Sequence, residues 1–137
     1  MSADPAATVV PKACPKFVPL IEGERFGSAE ITDAVAGYAL PLKAAGVDTL
    51  ILSCTHYPFI KEEIEREMGT QVKVIDPAEQ TALDAQAILR KERLLLEGAA
   101  GKTTICFTAD LARGRRITSR MFEVASCEFK AVSLQEK

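Results

Sequence analysis

The stretch VDTLILSCTHYP, residues 47–58, decides how the rest of the chain is read. Its first seven residues are apolar and β-rich, with Gly46 before them and a Cys-Thr-His run after them. A short apolar run of this length between turns has the signature of a parallel strand buried on both faces. Pro58 suits the first turn of a helix, and residues 59–68 continue as a charged amphipathic helix that ends at Gly69. The local order is therefore strand, loop, helix. Ser53, Cys54, Thr55 and His56 stand where the strand ends.

Working upstream, Ser28 is a good N-cap, and Ile31, Val35, Tyr38 and Leu42 recur at helical spacing. They predict a helix over residues 29–45, closed by Gly46, with Pro41 expected to kink it or end its regular part. The run ACPKFVPLIE, residues 13–22, carries prolines at 15 and 19, which exclude a central strand. It reads as a loop with a short helical turn that brings Phe17, Val18, Leu20 and Ile21 to a core. Residues 1–12 are small and Pro-interrupted and read as a loose leading segment.

Working downstream, residues 72–75 read as a second strand. Asp76 caps a helix with Pro77 at its first position and Glu79 three residues after the cap. This helix is predicted to run to about residue 97, with Ala82, Ala85, Leu89 and Leu96 among its buried candidates. Residues 103–108 give a third strand, 111–124 a helix and 128–134 a last strand. About four strands alternating with helices predict an α/β fold with a largely parallel sheet. Ligands in such sheets sit beyond the carboxyl ends of the strands, which is where Cys54 to His56 fall.

Composition narrows the function. The chain has 137 residues, 47% hydrophobic and 26% charged, with a net charge of -2. That is one ordinary domain, too apolar for bulk disorder and without the basic footprint of a nucleic-acid binder. No apolar run reaches the length of a membrane span, and the first residues lack the pattern of a secretory signal. The four cysteines, Cys14, Cys54, Cys106 and Cys127, are widely spaced and form no C-x-x-C. They read as reduced, buried thiols of a cytoplasmic protein, with no metal site among them. Neither G-x-G-x-x-G nor a P-loop occurs, so no nucleotide cofactor is expected. Arg113, Arg115, Arg116 and Arg120 read as a solvated helix face.

One constellation carries chemistry. A thiol at a helix N-terminus faces unpaired backbone N–H groups and the positive end of the dipole, which favour the thiolate. Cys54 is placed for this. His56, the only histidine of the chain, is two residues on and able to share a proton with it or orient it. Thr55 offers a hydroxyl and a backbone N–H for a substrate carboxylate. A thiolate serves as a nucleophile or as a base for a carbon acid. A small buried cysteine and a capping histidine would look the same by spacing. Spacing also leaves a cysteine hydrolase and a redox-sensing thiol open.

The run DTLILSCTHYPFI, residues 48–60, resembles the second cysteine signature of the glutamate racemases. In that family a strand ends in Gly-Cys-Thr-His-Tyr/Phe-Pro, and here Ser53 replaces the glycine. ACPKFVPLIE resembles the family's Ala-Cys-Pro-x-Phe-Val-Pro-Leu segment, in family order and at about the family interval. VIDPAEQTA, residues 74–82, and the region 107–122 extend the resemblance from about residue 13 to the end. It implies a racemase without cofactor that interconverts L- and D-glutamate for peptidoglycan synthesis. One thiolate takes the α-proton from one face and a second thiol returns a proton from the other. Cys54 maps onto the second cysteine, His56 onto the histidine that assists it and Thr55 onto a substrate-holding threonine. The related aspartate racemases favour another residue where His56 stands.

The resemblance implies only the second half of such an enzyme. The family's Asp-Ser-Gly signature and its first cysteine, followed by Asn-Thr, are absent, and the chain contains no asparagine. Cys14 and Cys106 therefore read as structural. Residues 13–75 resemble the second lobe of the family, and residues 103–137 the segment that returns to the first. An acidic partner for the histidine is expected four positions before Cys14, where Val10 stands, which would impair the relay through His56. The expectation is a chain with one catalytic cysteine, inactive alone, that forms a homo-oligomer or pairs with a complementary N-terminal half. The alternative is an inactive remnant that acts as an interaction module.

Overall fold

Capping and helix-compatible prolines set the first half of the chain. The structure, a computed structural model, describes residues 6–96, 101–120 and 123–134. It divides into two compact units, Met1–Thr81 and Ala82–Lys137. In the first, α1 (Phe17–Glu22) is a helix where the sequence reads mostly as loop. Pro19 is its third residue, a position whose N–H has no intrahelical partner, so the ring costs no hydrogen bond. α2 (Ala29–Ala44) opens where the Ser28 hydroxyl accepts from the Ile31 N–H at 3.4 Å. It continues through Pro41 to Ala44 instead of ending there. The proline leaves only the Gly37 carbonyl without its helical donor.

β1 (Thr49–Ile51) pairs in parallel with β2 (Lys73–Ile75), Leu50 standing opposite Val74. Flanking bonds lengthen the ladder: Lys73 N–H donates to the Asp48 carbonyl at 2.8 Å and Leu52 N–H to the Ile75 carbonyl at 2.9 Å. The predicted helix after the site begins as a 3-10 turn, Tyr57–Ile60, and becomes α3 (Lys61–Met68) only at Lys61. Gly69, at φ +82°, ends it in a conformation that suits glycine. Phe17 and Ile21 of α1, Ile31, Val35 and Leu42 of α2, Leu52, Ile60, Ile64 and Met68 form the core. Ile21, Ile31 and Ile60 are fully sealed, each contributing on the order of 1.5–3 kcal/mol.

Asp76 caps α4 (Pro77–Lys91) as expected, its Oδ1 accepting from the Ala78 N–H at 3.0 Å. The helix stops at Lys91, short of the predicted end. Arg93 turns left-handed at φ +58°, and the Leu94 N–H reaches back to the Leu89 carbonyl at 2.8 Å. That is the closing pattern of a helix C-terminus, made here without glycine. Residues 97–100, where the glycine stop was expected to begin, lie outside the described residues. Ala82, Ala85, Leu89 and Leu96 are exposed, contrary to expectation, and α4 buries no residue. The apolar spacing is present, but no described element covers that face.

In the second unit β3 (Thr103–Phe107) pairs in parallel with β4 (Cys127–Ala131), Ile105 standing opposite Phe129. β4 is thus displaced by one residue from its predicted start and ends at Ala131. α5 (Leu111–Thr118) is capped by Asp110, whose Oδ1 accepts from the Arg113 N–H at 3.1 Å. It ends before the predicted residue 124, and Met121 and Phe122 lie outside the described residues. The Phe107 and Phe129 rings stack at 6.4 Å, and the Arg115 guanidinium lies over Phe129 at 5.3 Å. Part of the predicted solvated arginine face thus packs on an aromatic ring. No described residue of this unit is buried. The expectation of buried thiols is also corrected. Cys106 points outward between half-buried Ile105 and Phe107, and Cys14, Cys54 and Cys127 are half-buried.

Two measurements follow for the second unit. A Cβ on Gly114 would stand 2.4 Å from the Phe107 ring. Gly→Ala in an exposed helix gains roughly 1 kcal/mol. Here the displaced ring sets an overpacking cost of about 1–3 kcal/mol against that gain. Gly114→Ala is expected to lower amide-exchange protection of residues 103–107, and increased protection would contradict this packing. Glu128 lies between Lys102, at 2.7 Å, and Lys130, at 3.0 Å. Hydrogen bonds from these ammonium groups, Lys102 first, hold its carboxyl below the ordinary range. A lowered folded value supports the fold above the ordinary carboxylate pKa, and the support is lost as pH falls through the folded one. Protection of β3 and β4 should therefore fade on acidification, and Glu128→Gln should flatten that dependence.

Candidate functional site

The turn after β1 is pinned at both ends by apolar burial. Leu52 is buried and bonded to β2, and Ile60 is sealed under α3. Between them the Cys54 carbonyl accepts from the Tyr57 N–H at 3.2 Å, and the His56 carbonyl from the Phe59 N–H at 3.1 Å. These bonds fold Cys54, Thr55 and His56 into a tight turn at the carboxyl end of a parallel strand, as predicted. Thr55 is exposed, and Cys54 and His56 are half-buried. One expectation changes. The helix whose positive end was to face Cys54 begins at Lys61, and a four-residue 3-10 turn precedes it.

His56 has a partner that sequence reasoning missed. Its Nε2 lies 2.7 Å from Glu22 Oε1, at the last residue of α1. A carboxylate can only accept, so Nε2 carries the hydrogen, and Nδ1 of the neutral ring is left as an acceptor. The pair is partly exposed, so its worth lies in orienting the imidazole more than in stability. Val10, where the acidic partner was expected, is exposed, and the carboxylate beside His56 is that of Glu22. The signal was present at the end of ACPKFVPLIE. Read as loop, that run gives Glu22 no direction. Read as helix, it sets Glu22 one turn beyond Val18 with a fixed heading.

The next residue is held from the same element. The Tyr57 ring meets Phe17 edge-on at 5.2 Å, and Phe17 meets Tyr38 likewise at 5.1 Å. The Cys14 Sγ donates to the Lys12 carbonyl at 3.6 Å. Burial pushes the Cys14 thiol up, opposed by the Lys12 charge. Burial also pushes the Tyr57 phenol up, aided by the nearby Cys14 and Cys54 sulfurs. Tyr57 is therefore within electrostatic reach of both thiols. Among the described residues no three His, Cys, Asp or Glu side chains gather as a metal site would need, and no helix is long and apolar enough to cross a membrane.

Comparison with known proteins places these features. No protein-family model matches the chain. It is 45% identical over 89 residues to a glutamate racemase of Lactiplantibacillus plantarum, covering 65% of this chain and 33% of that one. It is 41% identical over 96 residues to a glutamate racemase of Corynebacterium glutamicum, covering 70% and 35%. Among solved structures it superposes on glutamate racemase isoform RacE1 of Bacillus anthracis with a TM-score of 0.81 and 31% identity, covering 92% of this chain and 47% of that one. The glutamate racemase of Francisella tularensis, solved with D-glutamate, gives a TM-score of 0.75 at 25% identity, covering 90% and 46%. The chain is thus a homologue of glutamate racemases over most of its own length. It spans about a third of the curated relatives it matches and about half of the solved structures.

The raised Cys14 thiol makes a labelling prediction. Only the thiolate reacts, so Cys14 should be alkylated more slowly than exposed Cys106 at neutral pH, with its rate rising later as pH increases. Equal rates at neutral pH, read by peptide mass spectrometry, would contradict the assigned burial.

Proposed function

We infer that this homologue of the glutamate racemases supplies one half of a cofactor-independent racemase site, with Cys54 as the thiol acid/base for one face of the α-carbon. The observation that carries this reading is the Glu22–His56 bond beside Cys54. A bare cysteine in a turn needs no oriented imidazole, whereas a thiol that must gain and lose a proton in each turnover does. Glu22 fixes the ring, His56 relays the proton, and Cys54 exchanges it with the carbon. Thr55, exposed at the tip of the turn, is placed to hold the substrate carboxylate, where negative charge accumulates when the α-proton leaves.

One thiol cannot serve both faces of a carbon. The opposite acid/base comes, on this reading, from a complementary polypeptide or a second copy, with residues 13–75 belonging to one lobe and 103–137 to another. The substrate is glutamate, and the product D-glutamate serves peptidoglycan synthesis in the cytoplasm. A second reading, an interaction module without catalysis, draws on the exposed apolar side chains of Ile51, Leu83 and Ile88.

Exchange of the α-proton in deuterated water separates the two readings. The chain alone is expected to wash the proton from one enantiomer of glutamate without inverting it. Cys54→Ser should abolish the exchange. Glu22→Gln should slow it about tenfold, less than the roughly hundredfold loss typical of removing an acid–base group itself. Absence of exchange from both enantiomers, with the chain folded, would leave the interaction module as the better account.

A further inference from the structure

His56 is held at the tip of its ring and at its backbone, and both grips lead back to one short stretch of chain. At the tip, Glu22 Oε1 lies 2.7 Å from Nε2. At the backbone, the His56 carbonyl accepts from the Phe59 N–H at 3.1 Å. The Phe59 ring in turn meets the Phe26 ring at 6.3 Å, with the two planes inclined by 42°. That spacing lies within the range of a favourable aromatic pair. Phe26 follows Glu22 closely in the chain, and the segment joining them is tied back to α1. The Glu24 N–H donates to the Ile21 carbonyl at 2.9 Å, and the Arg25 N–H to the Leu20 carbonyl at 3.0 Å. Glu22, Phe26, Phe59 and His56 are thus the corners of a closed frame. Two of its sides are backbone, one is a hydrogen bond and one is a contact between rings.

We propose that Phe26 is a positioning residue: by packing on Phe59 it fixes the backbone from which the His56 imidazole projects, while Glu22 fixes the tip of the ring. Two side-chain torsions separate the imidazole from its main chain. Held at Nε2 alone, the ring swings whenever the turn beneath it shifts. Pinned at both ends, it keeps one heading for Nδ1, the nitrogen that Glu22 leaves free. The central core supplies only part of this grip. Ile60 is sealed, but Phe26 and Phe59 are half-buried and pack at the margin of the core. An aliphatic side chain would cover that margin as well, whereas two rings also favour particular mutual angles. The role rests on the reading of His56 given above, but its test uses no substrate. It can fail while the racemase reading stands, and the reverse.

The test takes the full chain with isotope-labelled histidine, which gives a single imidazole because His56 is the only one. Exchange of its Nε2–H with water is followed by NMR at neutral pH, with amide exchange at Phe59 and thermal melting in parallel. The variants are Phe26→Leu, Phe59→Leu, their combination, Phe26→Tyr, which keeps a ring, and Val47→Ala, which loosens packing before the other end of β1. Phe26→Leu and Phe59→Leu are each expected to speed both exchanges about fivefold, the effect of losing one aromatic pair. The double variant should go no further. Phe26→Tyr and Val47→Ala should stay near the parent below their melting temperatures. Unchanged exchange in both leucine variants overturns the proposal. So do additive effects in the double variant, a tyrosine variant no better than leucine, or a Val47→Ala effect as large as that of Phe26→Leu. A parent whose Nε2–H exchanges too fast to be seen overturns it as well, since a ring held at its tip protects that hydrogen. If Phe26→Leu fails to melt cooperatively, Phe59→Leu and Phe26→Tyr decide.

Discussion

Phe17 and Ile21 lie one helical turn apart, and most of the first unit depends on their burial. Phe17 is wedged between the rings of Tyr38 on α2 and Tyr57 in the turn after β1, while Ile21 is fully sealed in the same core. A six-residue helix has little stability of its own, and its hydrogen bonds alone would not hold it in water. The two apolar anchors hold it. Once α1 is held, Glu22 has a fixed position at its C-terminal end, and the turn carrying Cys54 has something rigid to lean on. Hydrophobic burial thus decides where the Glu22–His56 hydrogen bond stands.

How much of this was legible depended on the kind of signal. Ser28, Asp76, Pro77 and Gly69 act locally, through their own hydroxyl, carboxylate, ring or missing side chain, and each stands at the helix boundary read for it. The strand before Cys54 was legible as a strand because an apolar β-rich run between turns has few other uses, but not its surroundings: it was read as buried on both faces, and Thr49 and Ile51 are exposed. The misses came where a tertiary contact overrides a local rule. Prolines 15 and 19 argued for a loop with only a short helical turn; Phe17 and Ile21 reach the core as read, and their burial extends the turn into a six-residue helix. Arg93 closes α4 in a conformation usually left to glycine, so the helix stops earlier than its composition implies. Glu22 was missed for the first of these reasons. A carboxylate in a loop has no heading, and one at the end of a packed helix does.

The second unit is a different physical case. Two parallel strands and a short helix bring Phe107, Phe129 and Arg115 together without burying any described residue. Parallel strands ordinarily have both faces covered, and two alone give marginal stability. The longer relatives hold about as much chain again beyond what this one matches. The alternation of strands and helices was readable because it is set by local periodicity. What covers their faces is a property of surfaces, and the spacing of Leu83, Ile88 and Leu89 on α4 says only that a face is apolar.

The Glu22–His56 bond spans 34 residues of chain. Closing a flexible loop of that length costs about 3 kcal/mol in chain entropy. A half-exposed hydrogen bond between two side chains returns about 0.5–1.5 kcal/mol. The pair is therefore unable to draw its own ends together. It needs α2 and the core to hold α1 at the end of β1. The Glu22–His56 bond thus depends on the core, and the core does not depend on it. Loosening the packing around Phe17 therefore removes what holds Glu22 within 2.7 Å of His56.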